Sequence, residues 1–339
     1  MSLEVWIAGL PSHQHGAGTE LDNLIDLFRE HEVAVHLAPV DNRVDPAVAN
    51  DLIRRGCHVH EYHPQLFADK VVLSFVERTF LAHLSDIARR GRPAKVIWFN
   101  CGLRPMPGEL EAHAAGLIDV HGFVSRYQRS RLMPALEAMG CVRTFDYRPY
   151  LNLKRIEWRY RDWNGVYVLG RISRDDPRKY SRDTWRIFER VQVPPGLAKE
   201  VNILGFSLRA ATKTGPPPRS LRLRLWRQGE ISPGEFFRTI DTLVYKTGGT
   251  GESYGRVILE ACAHGVVPVV ENAYAFPELI VHGATGYLAA DSQELIHYAG
   301  LLAANPGVHF EMSRNARAHV ERVMDPEQCW QPWLEQLQT

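Results

Sequence analysis

Two carboxylates and a run of glycines lie close together in the last third of the chain. Glu252 and Glu260 are eight positions apart, and the segment 248–255, GGTGESYG, holds four glycines after the apolar run 242–245. The pattern predicts a strand, a loop and a helix carrying both carboxylates. Glycines let a ligand approach the backbone, and free N–H groups at a helix start bind anions. Carboxylates repel phosphate but accept hydrogen bonds from hydroxyl groups, so the combination predicts a pocket for a nucleotide sugar.

The composition is that of an ordinary globular protein. Among the 339 residues, 45% are hydrophobic and 23% are charged, and the formal net charge is +1 at pH 7. This near-neutral charge indicates no nucleic-acid partner. The five cysteines are scattered and none forms a C-x-x-C pair, which favours a reducing compartment. No apolar run reaches the roughly 18 residues that a membrane span needs, so we expect a cytoplasmic protein.

Short apolar runs alternate with helical patterns, which predicts βα units and parallel sheets. Predicted strands span 5–7, 33–37, 71–75, 96–99, 122–125, 166–169, 202–204, 221–225, 242–245 and 266–270. Predicted helices span 21–28, 80–88, 127–139 and 255–264, and a further helix begins at 326. Pro268 has no backbone N–H to donate, so we expect its strand to lie at a sheet edge or to contain a bulge.

A charged, aperiodic stretch near residues 153–161 separates two series of βα units. We therefore predict an α/β protein with two doubly wound domains, an N-terminal one over residues 1–155 and a C-terminal one over 156–324. Residues 325–339 form a terminal helix with Trp330, Trp333, Leu334 and Leu337 on one face. That helix either caps the second domain or crosses back to the first.

The glycine segment and the residues after it resemble the retaining GT-B glycosyltransferases of the large family 4. Glu252 and Glu260 match the E-x7-E element of that family, and Gly265 ends the helix before the run 266–270. Pro277-Glu278 and the sequence GATG at 283–286 resemble two further turns of the family. The resemblance covers about a hundred residues, and it implies the GT-B fold, with two Rossmann-like domains facing a cleft.

The resemblance also implies roles for the residues around the E-x7-E element. Glu252 would hold sugar hydroxyls of the donor and Glu260 the ribose diol, while backbone amides at the helix start would bind phosphate. The donor-binding residues predicted in this way are Gly251, Ser253, Tyr254, Gly255 and Glu260, with Asn272 near the base or the sugar.

A departing diphosphate gains negative charge and needs cations. Arg171, in the run VYVLGR, resembles the arginine that ends a strand in the family. The matching lysine comes later than usual here, and we favour Lys179, with Arg178 as the next choice. These cations would replace a divalent metal, so we expect no metal and no cofactor. His58 and His60 alternate on one strand face, which a partly buried strand explains without an ion.

The N-terminal half resembles the family mainly in its order of elements. Gly18 lies in the sequence GAGTE, which we expect to join the first strand to the first helix and to face the diphosphate. His13 and His15 precede this segment, and we take His15 as an acceptor-side candidate. Asn100 follows the strand 96–99, where many relatives carry a histidine. An amide hydrogen-bonds a sugar but does not act as a base.

Two alternatives stay open at this stage. GESYG is also a G-x-S-x-G sequence between a strand and a helix, as in the nucleophile elbow of α/β-hydrolases. Ser253 would then be the nucleophile of a serine esterase, with partners drawn from Asp291, Asp325, His297, His309 and His319. The late position of Ser253 leaves little sheet after it, and Arg171 has no role in this alternative. The second alternative is a non-catalytic GT-B subunit that binds a nucleotide sugar.

The favoured hypothesis is a glycosyltransferase. It would move a hexose-type sugar from a nucleoside diphosphate sugar to an acceptor hydroxyl, and the resemblance implies retention of configuration without a metal. Acceptors would be a glycan, a lipid-linked molecule or a small metabolite. The apolar segment 79–84 and the basic residues 89–92 after it also allow peripheral membrane contact, but a packed helix with a solvated basic end is the favoured explanation.

Overall fold

The structure is a computed structural model, and it describes residues 3–11 and 16–338. The chain divides into two compact units. Unit 1 comprises Met1–Asn152 together with Met324–Thr339, and unit 2 comprises Leu153–Val323. His13 and His15 therefore lie outside the described residues.

Each unit is built on a parallel sheet. The strands are β1 (Glu4–Ile7), β2 (Ala34–Leu37), β3 (His58–Val59), β4 (Val71–Phe75), β5 (Lys95–Phe99), β6 (Val120–Phe123) and β7 (Thr144–Asp146) in unit 1, and β8 (Val166–Ile172), β9 (Ala198–Leu204), β10 (Arg222–Trp226), β11 (Thr242–Tyr245), β12 (Val267–Glu271) and β13 (Tyr287–Ala289) in unit 2. The sheet orders are β3-β2-β1-β4-β5-β6-β7 and β10-β9-β8-β11-β12-β13. Both orders reverse direction beside their first strand, which is the doubly wound topology.

Helices cover these sheets. They are α1 (Gly16–Glu30), α2 (Pro46–Arg54), α3 (Arg78–Asp86), α4 (Glu109–Ala114), α5 (Arg126–Glu137), α6 (Thr184–Arg190), α7 (Leu208–Thr214), α8 (Pro233–Phe237), α9 (Arg256–Ala263), α10 (Ser292–Ala304), α11 (Pro306–Val323) and α12 (Pro326–Leu337). Short 3₁₀ turns lie at Pro64–Phe67, Leu153–Arg155, Pro177–Lys179 and Phe276–Glu278, and a π turn lies at Ile87–Gly91. No helix of the described residues is both long enough and apolar enough to cross a membrane.

The central strands explain why the sequence could be divided into elements. β5 and β8 are buried along nearly their whole length, because helices cover both faces of a parallel sheet. Such strands appear in the sequence as continuous apolar runs. The start of α8 is also specified locally, since Ser232 and Glu235 form a reciprocal capping box.

The terminal helix α12 belongs to unit 1. The Trp333 indole lies edge-on to Phe28 at 5.2 Å and to Phe145 at 5.2 Å, and the Trp330 ring stacks on His31 at 4.7 Å. Trp333 is fully buried. Aromatic packing on this scale buries a large apolar area and accounts for the attachment of α12 to unit 1.

Three local expectations differ from the structure. Gly18 lies in the first turns of α1 and not in a loop. Glu252 lies in the loop before α9, because the helix begins only after Gly255. Pro268 lies in the interior strand β12, where it pairs with Leu243. Its nitrogen faces away from β11, and β13 pairs with β12 only from Val269 onward, so no ladder bond is lost.

The apolar residues of α3 are used inside unit 1. Phe80, Leu81 and Leu84 are buried in its core. Arg89 and Arg90, just after the helix, form ion pairs with Asp86. A packed helix with a solvated basic end therefore accounts for the segment that suggested membrane contact.

Candidate active site

The predicted donor residues other than Gly18, which lies in α1 of unit 1, follow the carboxyl ends of strands in the unit 2 sheet. β8 lies between β9 and β11, so the connections that follow β8 and β11 leave in opposite directions. Ligands of doubly wound proteins bind in the crevice that opens at such a reversal. Arg171 is the second-last residue of β8, and Glu252 lies in the loop that follows β11.

Arg171 is a buried cation with an unusual set of neighbours. Arg171 is only 2% exposed, and its Nη2 donates to the carbonyl oxygen of Lys179. The guanidinium carbon lies 4.7 Å from the ring centre of Tyr180 and 4.4 Å from that of Tyr245. Its Nε is buried without an acceptor, and no carboxylate of the described residues pairs with it. The site therefore holds positive charge that the described residues do not neutralise.

Lys179 and Glu252 form an ion pair beside this arginine. The Lys179 Nζ donates to Glu252 Oε1, and both side chains are mostly buried. The Tyr245 hydroxyl donates to the same Oε1 at 3.1 Å. Oε2 of Glu252 has no hydrogen-bond partner among the described residues, so it can accept a hydrogen bond from a ligand hydroxyl.

Tyr245 stays protonated in this environment. Burial raises the pKa of its phenol well above the ordinary value, and the charge of Glu252 raises that pKa further. A phenol that keeps its proton can only donate to the carboxylate. Tyr245 therefore fixes one oxygen of Glu252 at any working pH.

Glycines in the loop after β11 allow that loop to pack closely enough for Glu252 to reach Lys179. A Cβ on Gly248 would lie 2.1 Å from the carbonyl oxygen of Arg178 and 2.5 Å from that of Tyr180, so only glycine allows this contact. The Thr250 hydroxyl donates to the Arg178 carbonyl at 3.2 Å. Gly251 adopts a positive φ of 74°. The loop after β11 is thus folded tightly against the 3₁₀ turn Pro177–Lys179.

The helix start has the backbone geometry that its glycine suggested. Gly255 is the N-cap of α9 with φ of 96°, and a Cβ there would meet the Phe276 ring at 2.8 Å. Ser253 and Tyr254 lie in the loop immediately before it. Glu260 lies on α9, where its Oε1 receives a hydrogen bond from Arg256 Nε at 3.3 Å. A ribose diol at Glu260 would share or replace that ion pair.

Two further donor-side candidates lie at the surface. Arg178 is exposed and forms several hydrogen bonds with Asp176, which lower the pKa of that carboxyl to about 2. Arg178 is thus already neutralised, in contrast to Arg171. Asn272 is exposed just after β12, and its backbone N–H donates to the Ala289 carbonyl at 2.7 Å.

Asn100 has a structural environment in unit 1. Its Oδ1 accepts from the backbone N–H of Gly102 at 2.8 Å, and its Nδ2 donates to the Arg104 carbonyl and to the Glu109 carboxylate. Asn100 is 4% exposed. These bonds shape the turn after β5 and use the amide groups that the sugar-binding hypothesis needs.

The contacts of the proposed hydrolase partners disfavour the esterase alternative. His309 bonds to Thr242 at the amino end of β11, whereas the loop of Ser253 follows the carboxyl end of that strand. Asp291 caps α10, and Asp325 caps α12. These side chains serve the fold at other places.

The histidines of β2, of β3 and of the residue after β3 stack on one another and on Trp6. His36 stacks on Trp6 at 4.3 Å and on His58 at 4.7 Å, and its Nδ1 lies 3.0 Å from Nε2 of His60. Within residues 3–11 and 16–338, no group of three or more His, Cys, Asp or Glu side chains is arranged to hold a metal ion.

Sequence reasoning missed two residues of the site, Tyr180 and Tyr245. Both are buried, and both place a ring against Arg171. A signal was present, because Tyr245 is the last residue of β11 and immediately precedes the glycine loop. Tyrosine at the carboxyl end of a buried parallel strand brings a hydroxyl to the edge where ligands bind.

The comparisons with known proteins assign part of unit 2 to a family. Residues 225–319 match the family described as Glycosyl transferases group 1, and this segment includes the glycine loop, Glu252 and Glu260. No curated protein matches the chain.

Solved structures resemble the whole chain. HepE of Anabaena, in complex with UDP and glucose, is 18% identical over 99% of both chains, with a TM-score of 0.72. Sucrose-phosphate synthase from Thermosynechococcus elongatus is 13% identical over 99% of both chains, with a TM-score of 0.71. TarM is 10% identical over 100% of this chain and 99% of the other, with a TM-score of 0.78.

Together the two parallel sheets and these neighbours define the GT-B fold. Within that fold, the C-terminal unit carries a glycosyl transferases group 1 domain over residues 225–319.

Proposed function

We propose that this protein transfers a hexose-type sugar from a nucleoside diphosphate sugar to an acceptor hydroxyl. The observation that carries the proposal is the environment of Arg171, a buried guanidinium that no carboxylate of the described residues pairs with. Burying a charge without a counterion is unfavourable by several kcal/mol. A diphosphate at the carboxyl edge of β8 would supply the missing negative charge.

The remaining site residues would each bind a different part of the donor. Lys179 would turn from Glu252 to the diphosphate, and the amides of Ser253, Tyr254 and Gly255 would add hydrogen bonds to phosphate at the start of α9. Oε2 of Glu252 would accept from a sugar hydroxyl. Glu260 would hold the ribose diol in place of its bond with Arg256.

The neighbours support a donor and an acceptor of this kind. HepE has been solved with UDP and glucose and with UDP-glucose. A Staphylococcus aureus TarM variant has been solved with Fondaparinux, alpha-GlcNAc-glycerol and UDP. We propose a uridine diphosphate sugar as the first donor to test and a glycan, lipid-linked or small-molecule hydroxyl as the acceptor.

We further propose retention of configuration and independence of a metal ion. In a front-face step, the bond between C1 of the sugar and the phosphate oxygen breaks while C1 bonds to the acceptor oxygen on the same face. The acceptor proton passes to the departing phosphate oxygen, so no protein base is required. Arg171 and Lys179 would stabilise the charge that develops on the diphosphate.

The donor is tested first by binding. A thermal-shift screen with UDP, GDP, ADP and dTDP should raise the melting temperature with one of them, since a ligand that binds only the folded state stabilises it. The matching nucleotide sugar should then be consumed in the presence of an acceptor, at an unchanged rate in EDTA. A metal-dependent rate would contradict the role given to Arg171 and Lys179.

Glu252→Gln separates the sugar from the nucleotide. Turnover should fall strongly while nucleoside diphosphate affinity barely changes, because the carboxylate is assigned to sugar hydroxyls. Equal losses of turnover and nucleoside diphosphate affinity would contradict that assignment. Binding without any transfer or hydrolysis by the wild-type protein would favour the non-catalytic alternative.

A further inference from the structure

Tyr245 is the one residue of the described site whose side chain touches both Arg171 and Glu252. Its ring centre lies 4.4 Å from the guanidinium carbon of Arg171, and its hydroxyl donates to Oε1 of Glu252 at 3.1 Å. The proposed function gives these two partners different parts of the donor, the diphosphate and the sugar. Tyr245 therefore lies between two recognition events that must occur together.

The two contacts use different parts of the tyrosine and leave ligand-binding groups free. A ring face attracts a guanidinium without occupying its N–H donors, so Arg171 keeps donors for phosphate oxygens. The hydroxyl occupies only Oε1, so Oε2 of Glu252 stays available for a hydroxyl donor. A carboxylate in place of Tyr245 would neutralise Arg171 and remove its affinity for a diphosphate.

The surroundings of Tyr245 hold it in one position. The residue is 2% exposed and ends β11, and its ring lies edge-on to Phe276 at 5.8 Å. The same Phe276 ring packs against Gly255 at the start of α9. The phenol is therefore fixed relative to the backbone that would bind phosphate.

Lys179 would not hold the Glu252 carboxylate in position once a donor binds. It shares Oε1 of Glu252 with Tyr245, but a diphosphate at Arg171 would attract the Lys179 ammonium away. Glu252 would then retain only the tyrosine hydroxyl among these two donors. Without that hydroxyl, the carboxylate would lose its fixed orientation when the sugar needs it.

We propose that Tyr245 is a positioning residue that links recognition of the diphosphate to recognition of the sugar. It supports the face of the Arg171 guanidinium and holds Glu252 oriented after Lys179 has turned to the diphosphate. This inference rests on the proposed function. It adds a specificity role for a residue that is assigned to neither the bond that breaks, between C1 and the phosphate oxygen, nor the bond that forms, between C1 and the acceptor oxygen.

Tyr245→Phe tests the inference because it keeps the ring and removes the hydroxyl. The affinity for the nucleoside diphosphate should stay within about twofold of wild type. The extra affinity for the nucleotide sugar, together with kcat, should fall roughly 10- to 100-fold, the range for a hydrogen bond to a charged group. Tyr167→Phe is the matched control, since it removes another buried hydroxyl hydrogen bond of unit 2, the one to Thr242. It should change neither the extra affinity for the nucleotide sugar nor kcat.

A double-mutant cycle with Glu252→Gln distinguishes positioning from general packing. If Tyr245 acts through Glu252, Tyr245→Phe should have little further effect on sugar recognition in the Glu252→Gln background. Additive losses, equal weakening of both ligands, or wild-type behaviour of Tyr245→Phe would each overturn the inference. A wild-type protein that binds no nucleoside diphosphate would instead contradict the proposed function.

Discussion

Two largely buried arginines, one in each unit, have opposite surroundings. Arg55 in unit 1 donates to the carboxylates of Asp22, Asp26 and Asp51, at 2.7 Å for Asp26 and 3.5 Å for Asp51, and also to the Asp22 carbonyl. Arg171 in unit 2 meets one carbonyl oxygen and two tyrosine rings. The first arginine has more carboxylates than it can neutralise, and the second has none among the residues that the structure describes.

We propose that this difference separates a structural charge from a functional one. An arginine bonded to three carboxylates has no excess positive charge for an anionic ligand to neutralise. Replacing that arginine leaves the carboxylates without its charge. A cation held by ring faces and a carbonyl keeps an electrostatic deficit that an incoming anion relieves. Burial of an arginine is thus informative only together with the charge of its neighbours.

Replacing Arg55 should have the largest effect on stability. Arg55→Met leaves Asp22 and Asp26 buried without their cation, which costs about 3–5 kcal/mol of unfolding free energy. Nucleoside diphosphate affinity of the folded fraction should not change, because the hydrogen-bond partners of Arg55 are Asp22, Asp26 and Asp51 and include none of the residues assigned to the diphosphate. Urea unfolding followed by ligand titration at low temperature measures both. A stable Arg55→Met protein with weakened nucleotide binding would reverse the comparison.

Acid should weaken both units without changing either arginine. Burial lowers the pKa of His121 and of His309 to about 4 from 6.5. The unfolded chain therefore binds protons between pH 6.5 and 4 where the folded chain does not, so stability falls as the pH drops through that window. The loss reaches about 3 kcal/mol per histidine near pH 4, at about 1.4 kcal/mol per pKa unit.

Unfolding in urea at pH 7 and pH 5 measures this slope. Variants His121→Gln and His309→Gln should each have a shallower dependence on pH than the wild type, whatever their stability at pH 7. A slope that both variants retain would show that other groups carry the acid sensitivity.

Arg171→Met should weaken binding and spare the fold. Nucleoside diphosphate affinity should fall by about 1.5–3 kcal/mol, the range for a charged hydrogen bond. The unfolding free energy without ligand should stay equal or rise, because an unneutralised buried charge is replaced by an apolar chain of similar length. Calorimetric titration and urea unfolding test the two parts. A stability loss as large as that of Arg55→Met would make Arg171 structural as well.

Most of the fold could be predicted because the central strands are continuous apolar runs in the sequence. The short edge strand β3 has only two residues, and β7 has three, which is too little for periodicity to detect. The interior position of Pro268 could not be predicted, because it depends on where β13 begins to pair. Gly18 and Glu252 were assigned to the wrong elements, since helix ends depend on caps more than on composition.

The charged residues of the candidate site were nominated from the sequence, but their arrangement was not. Glu252, Arg171 and Lys179 were nominated from the sequence, and the structure brings all three together at the edge of one sheet. The carboxylate partner of each of the two adjacent cations could not be read from the sequence, because Lys179 reaches Glu252 through a tertiary contact whereas Arg178 bonds to Asp176 in a local turn. Tyr245 was missed for the same reason, since its contacts exist only after the loop folds back.

Arg178 gives the smallest expected effect and the sharpest control for adjacency. It directly precedes Lys179, but it is exposed and already paired with Asp176, so Arg178→Gln should change nucleoside diphosphate affinity by less than about twofold, as for most exposed ion pairs. Lys179→Gln, one position later, should weaken the same ligand clearly more. The two variants remove one positive charge each from the same turn, so any difference reports geometry and not net charge. If Arg178→Gln weakened binding as much as Arg171→Met, the diphosphate would be drawing Arg178 away from Asp176, and this exposed ion pair would then have to be counted as functional.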